Sequence, residues 1–386
     1  MLVKNVATVV RTKISTEQLD ATNYISTDNM LPNYSGITLA TNVPSGTVTQ
    51  YRKDDILLSN IRPYFKKVWL SDRNGGCNAD IICIRVSDER CVPQYLYYQL
   101  ITDNFINNYV KACKGAKMPR GDLNQLLEYD FYCPPYEEQL RITDILGSID
   151  KKIEINKKKI EKLEAISMEI FLYFETFSNH NISTFSELIK DIISGDWGKE
   201  SCQGIYNLKV NCIRGADIET CKNNVASSKQ RFINLNNTSK LLNNKSLIVE
   251  ISGGSPTQST GRILYVNEKL IDRFKDPIIC SNFCKAMTLK NDLYLYWFYL
   301  KWEYSYRKGV MFNFEGKTSG IKNFMFDNFV SSYEIKILPQ DNIVEFNETV
   351  EPMFQEIQQL CKENDLLKKH KETLLPLLMN GQVTVT

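Results

Sequence analysis

Residues 59–67 combine cations, an amide and aromatic rings in a pattern typical of nucleic-acid contacts. The stretch reads SNIRPYFKK. Arginine and asparagine can form two hydrogen bonds with a base edge, whereas lysine suits a phosphate. We therefore predict DNA contacts here, with an ordinary solvated loop as the alternative. The predicted contact residues are Ser59, Asn60, Arg62, Tyr64, Lys66 and Lys67.

Other loops carry cations beside glycines, which would let backbone amides approach a phosphate. In the first half of the chain, Lys114, Lys117 and Arg120 surround Gly115 and Gly121. In the second half, a polar loop and a later cationic segment occupy corresponding places. Their predicted contact residues are Ser255, Thr257, Gln258, Arg262, Lys317, Thr318 and Lys322.

Two catalytic motifs are approached but not completed. CPPY at 133–136 resembles the Asp/Asn/Ser-Pro-Pro-aromatic motif of amino-directed DNA methyltransferases. That chemistry needs a good hydrogen-bond acceptor first, and a thiol is a poor one. GKT at 316–318 echoes a phosphate-binding loop, but the first glycine of that loop would fall at Met311. With only two histidines in the chain, we predict no catalytic residue and no metal site.

The chain repeats itself at a spacing near 200 residues, and such a repeat decides the architecture. The matches keep one order, and their offsets are 199, 201, 204 and 208. The order predicts a lobe, a helix, a second lobe and a second helix. The matching features are YLYY at 95–98 with YLYW at 294–297, Gly115 with Gly316, Pro135 with Pro339, and Asn156 with Asn364.

Each lobe is predicted to mix helices and strands. Short β-type runs at 56–58 and 81–84 are separated by the turn-forming Asn74-Gly75-Gly76. The aromatic segments 93–110 and 291–307 are predicted to be helices whose rings lie in the core.

After each lobe, apolar residues step by 4 and 3, as the seam of a coiled coil requires. Residues 137–175 would extend about 58 Å as a helix. Pro352 is expected to kink or restart the second helix. The asparagines on the seam would fix its register, or would simply be tolerated there. The predicted seam residues are Ile149, Ile153, Asn156, Ile160, Leu163, Ile357, Leu360, Asn364, Leu367 and Leu374.

Composition agrees with a cytoplasmic globular protein of the α+β class. The chain is 43% hydrophobic and 24% charged, without an apolar run long enough to span a membrane, and its eleven cysteines form no CxxC pair. Lys and Arg number 15 against 13 Asp and Glu in 1–135, 21 against 15 in 180–337, and 11 against 17 elsewhere. Positive charge therefore lies in the lobes, which would suit a polyanion. The predicted domains are lobes 1–136 and 180–337 and helices 137–179 and 338–386.

The sequence resembles, over essentially its whole length, the specificity subunits of type I restriction–modification systems. The motifs that carry the resemblance are PPYEEQ at 134–139, IDKKI at 149–153, FN at 346–347, PMF at 352–354, TLLPLLMNG at 373–381, YISTDNMLP at 24–32, DILLSNIR at 55–62 and KMPRGD at 117–122. The second lobe departs more, with GKT at 316–318 in place of the fuller cationic motif.

The resemblance implies two target recognition domains spaced by two long antiparallel coiled-coil helices, with an internal pseudo-twofold repeat. Each domain would read one half of a bipartite site on double-stranded DNA. The helices would space the domains and dock two methyltransferase subunits, which bring S-adenosylmethionine, and restriction subunits, which use ATP and Mg. In such a subunit CPPY would be the hinge into the first helix.

Two other functions stay open on the residues alone. One is a self-sufficient DNA adenine methyltransferase that uses CPPY, which methyl transfer by the purified chain would reveal. The other is a coiled-coil scaffold that binds no DNA and is indifferent to charge reversal at Lys66 and Lys67.

Overall fold

The chain, in a computed structural model, is described for residues 1–111, 113, 119–224, 226–253, 258–318 and 321–385, with the side chains of Lys317 and Thr318 left out. These residues form two compact units. The first comprises Met1–Lys151 with Lys369–Thr386, and the second comprises Lys152–Lys368. Each unit therefore contains one predicted lobe and parts of both long helices.

The described strands of the first unit form two four-stranded sheets. One sheet has the order β1-β8-β5-β6 with every pair antiparallel, and the other has the order β2-β4-β7-β3. The runs predicted at 56–58 and 81–84 are confirmed as β5 and β8. The strands are β1 (Ala7–Val9), β2 (Lys13–Ser15), β3 (Tyr24–Ile25), β4 (Thr47–Tyr51), β5 (Ile56–Ser59), β6 (Val68–Leu70), β7 (Gly75–Cys77) and β8 (Ile81–Val86).

The turn predicted at Asn74-Gly75-Gly76 is wrong, because both glycines lie in strand β7. A Cβ on Gly75 would stand 2.1 Å from the carbonyl oxygen of Asn23, and one on Gly76 would stand 2.5 Å from Leu19. Glycine is therefore needed for close packing of the backbone and not for reversing the chain.

The helices of the first unit pack against its β1-β8-β5-β6 sheet. They are α1 (Pro93–Leu100), α2 (Asp103–Lys111), α3 (Leu123–Leu127) and the first part of α4 (Tyr136–Phe177). The rings of Tyr95, Tyr98, Phe105 and Tyr109 are at most 1% exposed and join one apolar core. The prediction that this aromatic segment is helical and packs in the core is confirmed, with a break between α1 and α2.

The second unit repeats the first sheet of the first unit. Its order, β10-β17-β13-β15, places the strands in the same sequence as β1-β8-β5-β6, again with antiparallel pairs. This shared topology confirms the internal repeat. The strands are β9 (Asn181–Thr184), β10 (Ile189–Ser194), β11 (Tyr206–Ile213), β12 (Lys229–Asn234), β13 (Ser246–Glu250), β14 (Ser252–Gly253), β15 (Ile263–Val266), β16 (Ile278–Cys280), β17 (Cys284–Leu289), β18 (Glu315–Thr318), β19 (Ile321–Phe324) and β20 (Glu334–Ile337).

The helices of the second unit bury the second aromatic segment. Trp297 and Trp302 on α8 are 0% exposed. The Trp297 ring contacts Phe171, and the Trp302 ring contacts several phenylalanines, among them Phe185 and Phe329. The helices are α5 (Phe185–Leu188), α6 (Ile218–Asn223), α7 (Glu268–Ile271), α8 (Leu295–Arg307), α9 (Phe326–Ser332) and α10 (Gln340–Met379). The prediction of a buried aromatic helix is confirmed here too.

The long helices α4 and α10 run antiparallel where they meet inside each unit. In the second unit, Lys152 pairs with Glu363 at 3.4 Å and Lys159 pairs with Glu356 at 2.5 Å. The paired position on α10 therefore moves back along the chain as the position on α4 moves forward. In the first unit, Lys371 Nζ on α10 lies 2.6 and 2.7 Å from the two carboxylate oxygens of Asp150 on α4. The helix α10 continues through Pro352, so no restart occurs there.

The ten predicted seam residues are all buried or half-buried. Ile160, Ile357, Leu360 and Cys361 form one apolar cluster, and Leu163 packs against it. A stripe with spacing 4 and 3 therefore faces the partner helix, as the periodicity requires.

Candidate nucleic-acid interface

The predicted contact stretch of the first lobe forms a tight turn between β5 and β6, here called the 62–66 turn. Its centre is a single 3-10 turn, Pro63–Phe65, with proline in the first position. Arg62 (φ 47°) and Lys66 (φ 54°) at its two ends adopt the left-handed conformation. Such values are uncommon for side-chain-bearing residues and often mark functional positions.

Backbone hydrogen bonds hold the 62–66 turn on both sides. Within it, the N–H of Phe65 donates to the carbonyl of Arg62 at 2.9 Å. Outside it, the N–H of Arg62 donates to Pro119 O at 2.8 Å, and the N–H groups of Asn33 and Tyr34 donate to Phe65 O and Lys66 O at 2.9 and 3.0 Å. These bonds compensate for the unusual dihedral angles and make the turn a rigid support for its side chains.

Two of the predicted contact residues support the turn from beneath. Ser59 is 1% exposed, and its hydroxyl donates to Ile61 O at 2.9 Å. Asn60 is half-buried and accepts a hydrogen bond from the Tyr109 hydroxyl at 3.2 Å. Burial raises the pKa of Tyr109, so its hydroxyl remains a donor at neutral pH. Both side chains thus have protein partners, and their predicted contacts with DNA stay predictions.

The cations of this region differ in their surroundings. Arg62 is exposed and makes no ion pair within the described ranges. Arg120 is 55% exposed and pairs with Asp80 at 2.9 Å, and its backbone bridges Ile61. Lys66 pairs with Asp103 at 2.7 Å. Exposed pairs of this kind contribute little stability, so a phosphate could replace the carboxylate.

Lys67 is half-buried. Its ammonium donates to Thr27 O at 2.6 Å and lies 6.0 Å from the centroid of the Phe65 ring. It contributes positive charge to the region while helping to fix the position of Phe65.

Two neighbouring rings project from the 62–66 turn. Tyr64 is 49% exposed and Phe65 is 41% exposed, and their centroids lie 4.7 Å apart at 54°. Tyr64 was among the predicted contacts and Phe65 was not. The signal for Phe65 was its adjacency to Tyr64 within the cationic stretch.

Gly121 follows Arg120 and contacts Asn60, the residue two positions before Arg62. Its N–H donates to Asn60 O at 2.9 Å, and a Cβ there would stand 2.0 Å from the Tyr109 hydroxyl. A glycine is required because Tyr109 occupies that space. Lys114 and Lys117, the other predicted cations of this loop, lie outside the described residues.

The corresponding cations of the second lobe are used in internal ion pairs. Arg262 donates to both carboxylate oxygens of Glu250, at 2.7 and 2.8 Å, and these bonds raise the pKa of Arg262. Lys322 pairs with Glu315 at 3.4 Å and donates to Gln258 O at 3.3 Å. Because the side chains of Arg262 and Lys322 are 13% and 11% exposed, their charges are compensated inside the lobe.

The remaining predicted contacts of the second lobe stay predictions. Ser255 and Thr257 lie outside the described residues, as do the side chains of Lys317 and Thr318. The backbone of the latter two belongs to strand β18, which pairs with β19 in a hairpin.

The CPPY motif leads into helix α4, which begins at the tyrosine of the motif, Tyr136. Gln139 is 0% exposed, and its amide nitrogen donates to Cys133 Sγ at 3.4 Å and to Pro134 O at 2.8 Å. Its amide oxygen accepts from Val92 N at 2.9 Å. Burial raises the pKa of the Cys133 thiol. The motif therefore anchors the helix to the lobe.

Metal-ligand clusters and membrane-spanning helices are both absent from the described ranges. No group of three or more His, Cys, Asp or Glu residues there is arranged to hold a metal ion. None of the helices within those ranges has both the length and the apolar run needed to cross a bilayer.

The chain is similar to known proteins of one kind. Residues 8–165 match the family model of the type I restriction modification DNA specificity domain. The type I restriction enzyme MjaIX specificity subunit of Methanocaldococcus jannaschii is 27% identical over 318 residues, which cover 76% of this chain and 70% of that protein. The type I restriction enzyme HindI specificity subunit of Haemophilus influenzae is 24% identical over 156 residues, which cover 38% of this chain and 34% of that protein.

One solved structure shares the fold along nearly the whole chain. The crystal structure of the S subunit of a type I restriction–modification system from M. genitalium superposes with a TM-score of 0.59 at 14% identity. The match covers 98% of this chain and 95% of that one.

Proposed function

Because the chain belongs to the specificity subunits of type I restriction–modification systems, we propose that it selects the DNA sequence on which the catalytic subunits of such a system act. The observation that carries the proposal is the 62–66 turn. It presents an exposed arginine and two rings on a rigid backbone, beside the exposed Arg120. Phosphates would meet the cations, and base edges would meet Arg62.

We further propose that each lobe reads one half of a bipartite duplex site. The shared strand order of the two lobes supports equivalent roles. The second lobe would use different contacts, because its Arg262 and Lys322 are held by Glu250 and Glu315. Polar side chains of its 253–262 loop, including Ser255 and Thr257, remain the proposed contacts there.

We propose that partner subunits carry out the chemistry. Two methyltransferase subunits would bring S-adenosylmethionine, and restriction subunits would bring ATP and Mg. This chain would supply no catalytic residue. The use of CPPY in starting helix α4 supports that assignment, because Cys133 already accepts a hydrogen bond from Gln139.

The test is a lobe exchange in the full chain. First, the methylated adenines in DNA from the source cell are mapped to define the site. Residues 180–337 are then replaced by the corresponding lobe of a relative, and the methylated sites are mapped again. One half of the site should change while the other is retained.

Changes in both halves, or in neither, would contradict the modular reading. Methyl transfer by the purified chain alone, abolished by a Pro135 substitution, would establish the self-sufficient methyltransferase instead. A complex that shifts no DNA at any salt concentration would favour the scaffold.

A further inference from the structure

Packing of the fold does not account for the Tyr64–Phe65 ring pair. Both rings are nearly half exposed, although aromatic side chains are among those that gain most from burial. The rings contact each other, at 4.7 Å between centroids, and nearly half of each side chain faces solvent. The chain therefore keeps apolar area available at one defined place.

The backbone beneath the rings is built to hold them out. Pro63 is buried and begins the 3-10 turn, and left-handed residues close the turn at both ends. The carbonyls of Phe65 and Lys66 accept hydrogen bonds from Asn33 and Tyr34. A rigid turn loses little conformational freedom when its side chains enter a partner.

The surrounding charge identifies the class of partner. Arg62 and Lys66 flank the rings, and Lys67 lies 6.0 Å from the Phe65 ring. An apolar protein surface would leave this cluster of cations poorly solvated. DNA offers phosphates for the cations and the flat faces of bases for the rings, and apolar side chains that enter a base step unstack it.

Building on the proposed function, we propose that Tyr64 and Phe65 form an aromatic wedge that enters the DNA and unstacks one base step of the half-site read by the first lobe. Pyrimidine–purine steps unstack most easily. The wedge would therefore add a preference for such a step, which the base-edge contacts of Arg62 do not supply.

The experiment uses the full chain assembled with the methyltransferase subunits of its source cell. Duplexes carry the mapped site with 2-aminopurine at one position at a time, leaving out the adenine that is methylated. Unstacking makes this base brighter. The wild-type complex should brighten one step of the half-site and no other.

Ring variants test the assignment directly. Tyr64→Ala/Phe65→Ala should lose the brightening and should bind the preferred step about tenfold more weakly. Tyr64→Phe and Phe65→Tyr should keep both properties, because a ring remains. Tyr132→Ala, which removes a 39% exposed ring elsewhere in the first unit, is the matched control and should behave as wild type.

Salt dependence separates the wedge from the phosphate contacts. The double alanine variant removes no charge, so its affinity should fall with salt as steeply as that of the wild type. A wild-type complex that binds its site but brightens no step would overturn the wedge and leave the proposed function standing. Unchanged brightening in the double alanine variant would also overturn the wedge. So would a double variant that no longer binds the methyltransferase subunits but keeps its DNA contacts. No sequence-specific binding by the wild type would contradict the wedge and the proposed function together.

Discussion

The side-chain amide of Asn156 donates a hydrogen bond to the amide oxygen of Asn364 across 3.0 Å. The two asparagines lie on helices α4 and α10 within the second unit, and each is 1% exposed. The same Asn156 nitrogen donates to Glu363 at 2.8 Å, while the amide nitrogen of Asn364 has no partner among the described residues. A pair like this costs stability in an apolar seam but favours one register.

Replacing one member of the pair should destabilise the second unit. Asn156→Leu leaves the buried amide of Asn364 without its donor, which should lower the free energy of unfolding by about 1–3 kcal/mol. The double variant Asn156→Leu/Asn364→Leu removes both polar groups and should recover that loss. Urea unfolding measures all three chains.

The control for this pair is Lys162→Ala, at an exposed position of α4, which should change stability by less than about 0.5 kcal/mol. A double variant as unstable as Asn156→Leu would show that the amide pair stabilises the helices by more than its desolvation costs.

Arg62→Ala should weaken binding of the mapped site by about 1–3 kcal/mol if the guanidinium reads a base. It should relax the base preference at one position of the half-site. The measurement is a titration of the assembled complex against the mapped duplex and its single-base variants. Arg90→Ala is the matched control, since Arg90 is also an exposed arginine of the first unit and pairs with Asp88. Equal loss at every duplex variant would make Arg62 a phosphate contact and not a base contact.

Local patterns in the sequence were enough to predict the long helices, the repeat and the strands β5 and β8. The spacing of the seam residues and the apolar runs are properties of neighbouring residues, and so was the cationic stretch that became the 62–66 turn. The seam asparagines were also placed correctly, because a coiled-coil period fixes which positions meet.

The sequence could not show properties that depend on distant partners. Nothing near Gly75 indicates that Asn23 will approach it closely enough to exclude a side chain. Likewise, the sequence shows Arg262 as a loop cation, whereas the fold places it against the buried carboxylate of Glu250. Exposure decides whether a cation can contact DNA, and it is set by tertiary packing.

Removing the carboxylate beside Arg120 should tighten DNA binding. Asp80 is 34% exposed and pairs with Arg120, so it both competes with a phosphate and repels it. Asp80→Asn should therefore strengthen binding by about 1 kcal/mol or less, with the largest gain at low salt. Glu89→Gln removes an exposed carboxylate elsewhere in the same unit and should have a smaller effect. Weaker binding by Asp80→Asn would indicate that the pair positions Arg120 for contact.

The Arg214–Asp217 pair predicts a pH dependence of stability in the second unit. The Asp217 side chain is 3% exposed, and it accepts hydrogen bonds from Arg214 Nε at 2.7 Å and from the Ser227 hydroxyl at 2.8 Å. Burial alone would raise the pKa of Asp217, but these hydrogen bonds outweigh it and leave the pKa below its ordinary value. The folded state therefore favours the ionised carboxylate.

Because the pKa is lowered by folding, the stabilisation is complete above the ordinary pKa of an aspartate, about 3.9, and is lost as the pH falls through the folded value. Asp217→Asn should lower the free energy of unfolding by about 1–3 kcal/mol at pH 7, and the difference from wild type should shrink below about pH 4. Urea unfolding at a series of pH values measures this, with Asp191→Asn, at a 62% exposed side chain, as the control. A difference that stays constant down to pH 2 would mean that the charge of Asp217 does not stabilise the fold.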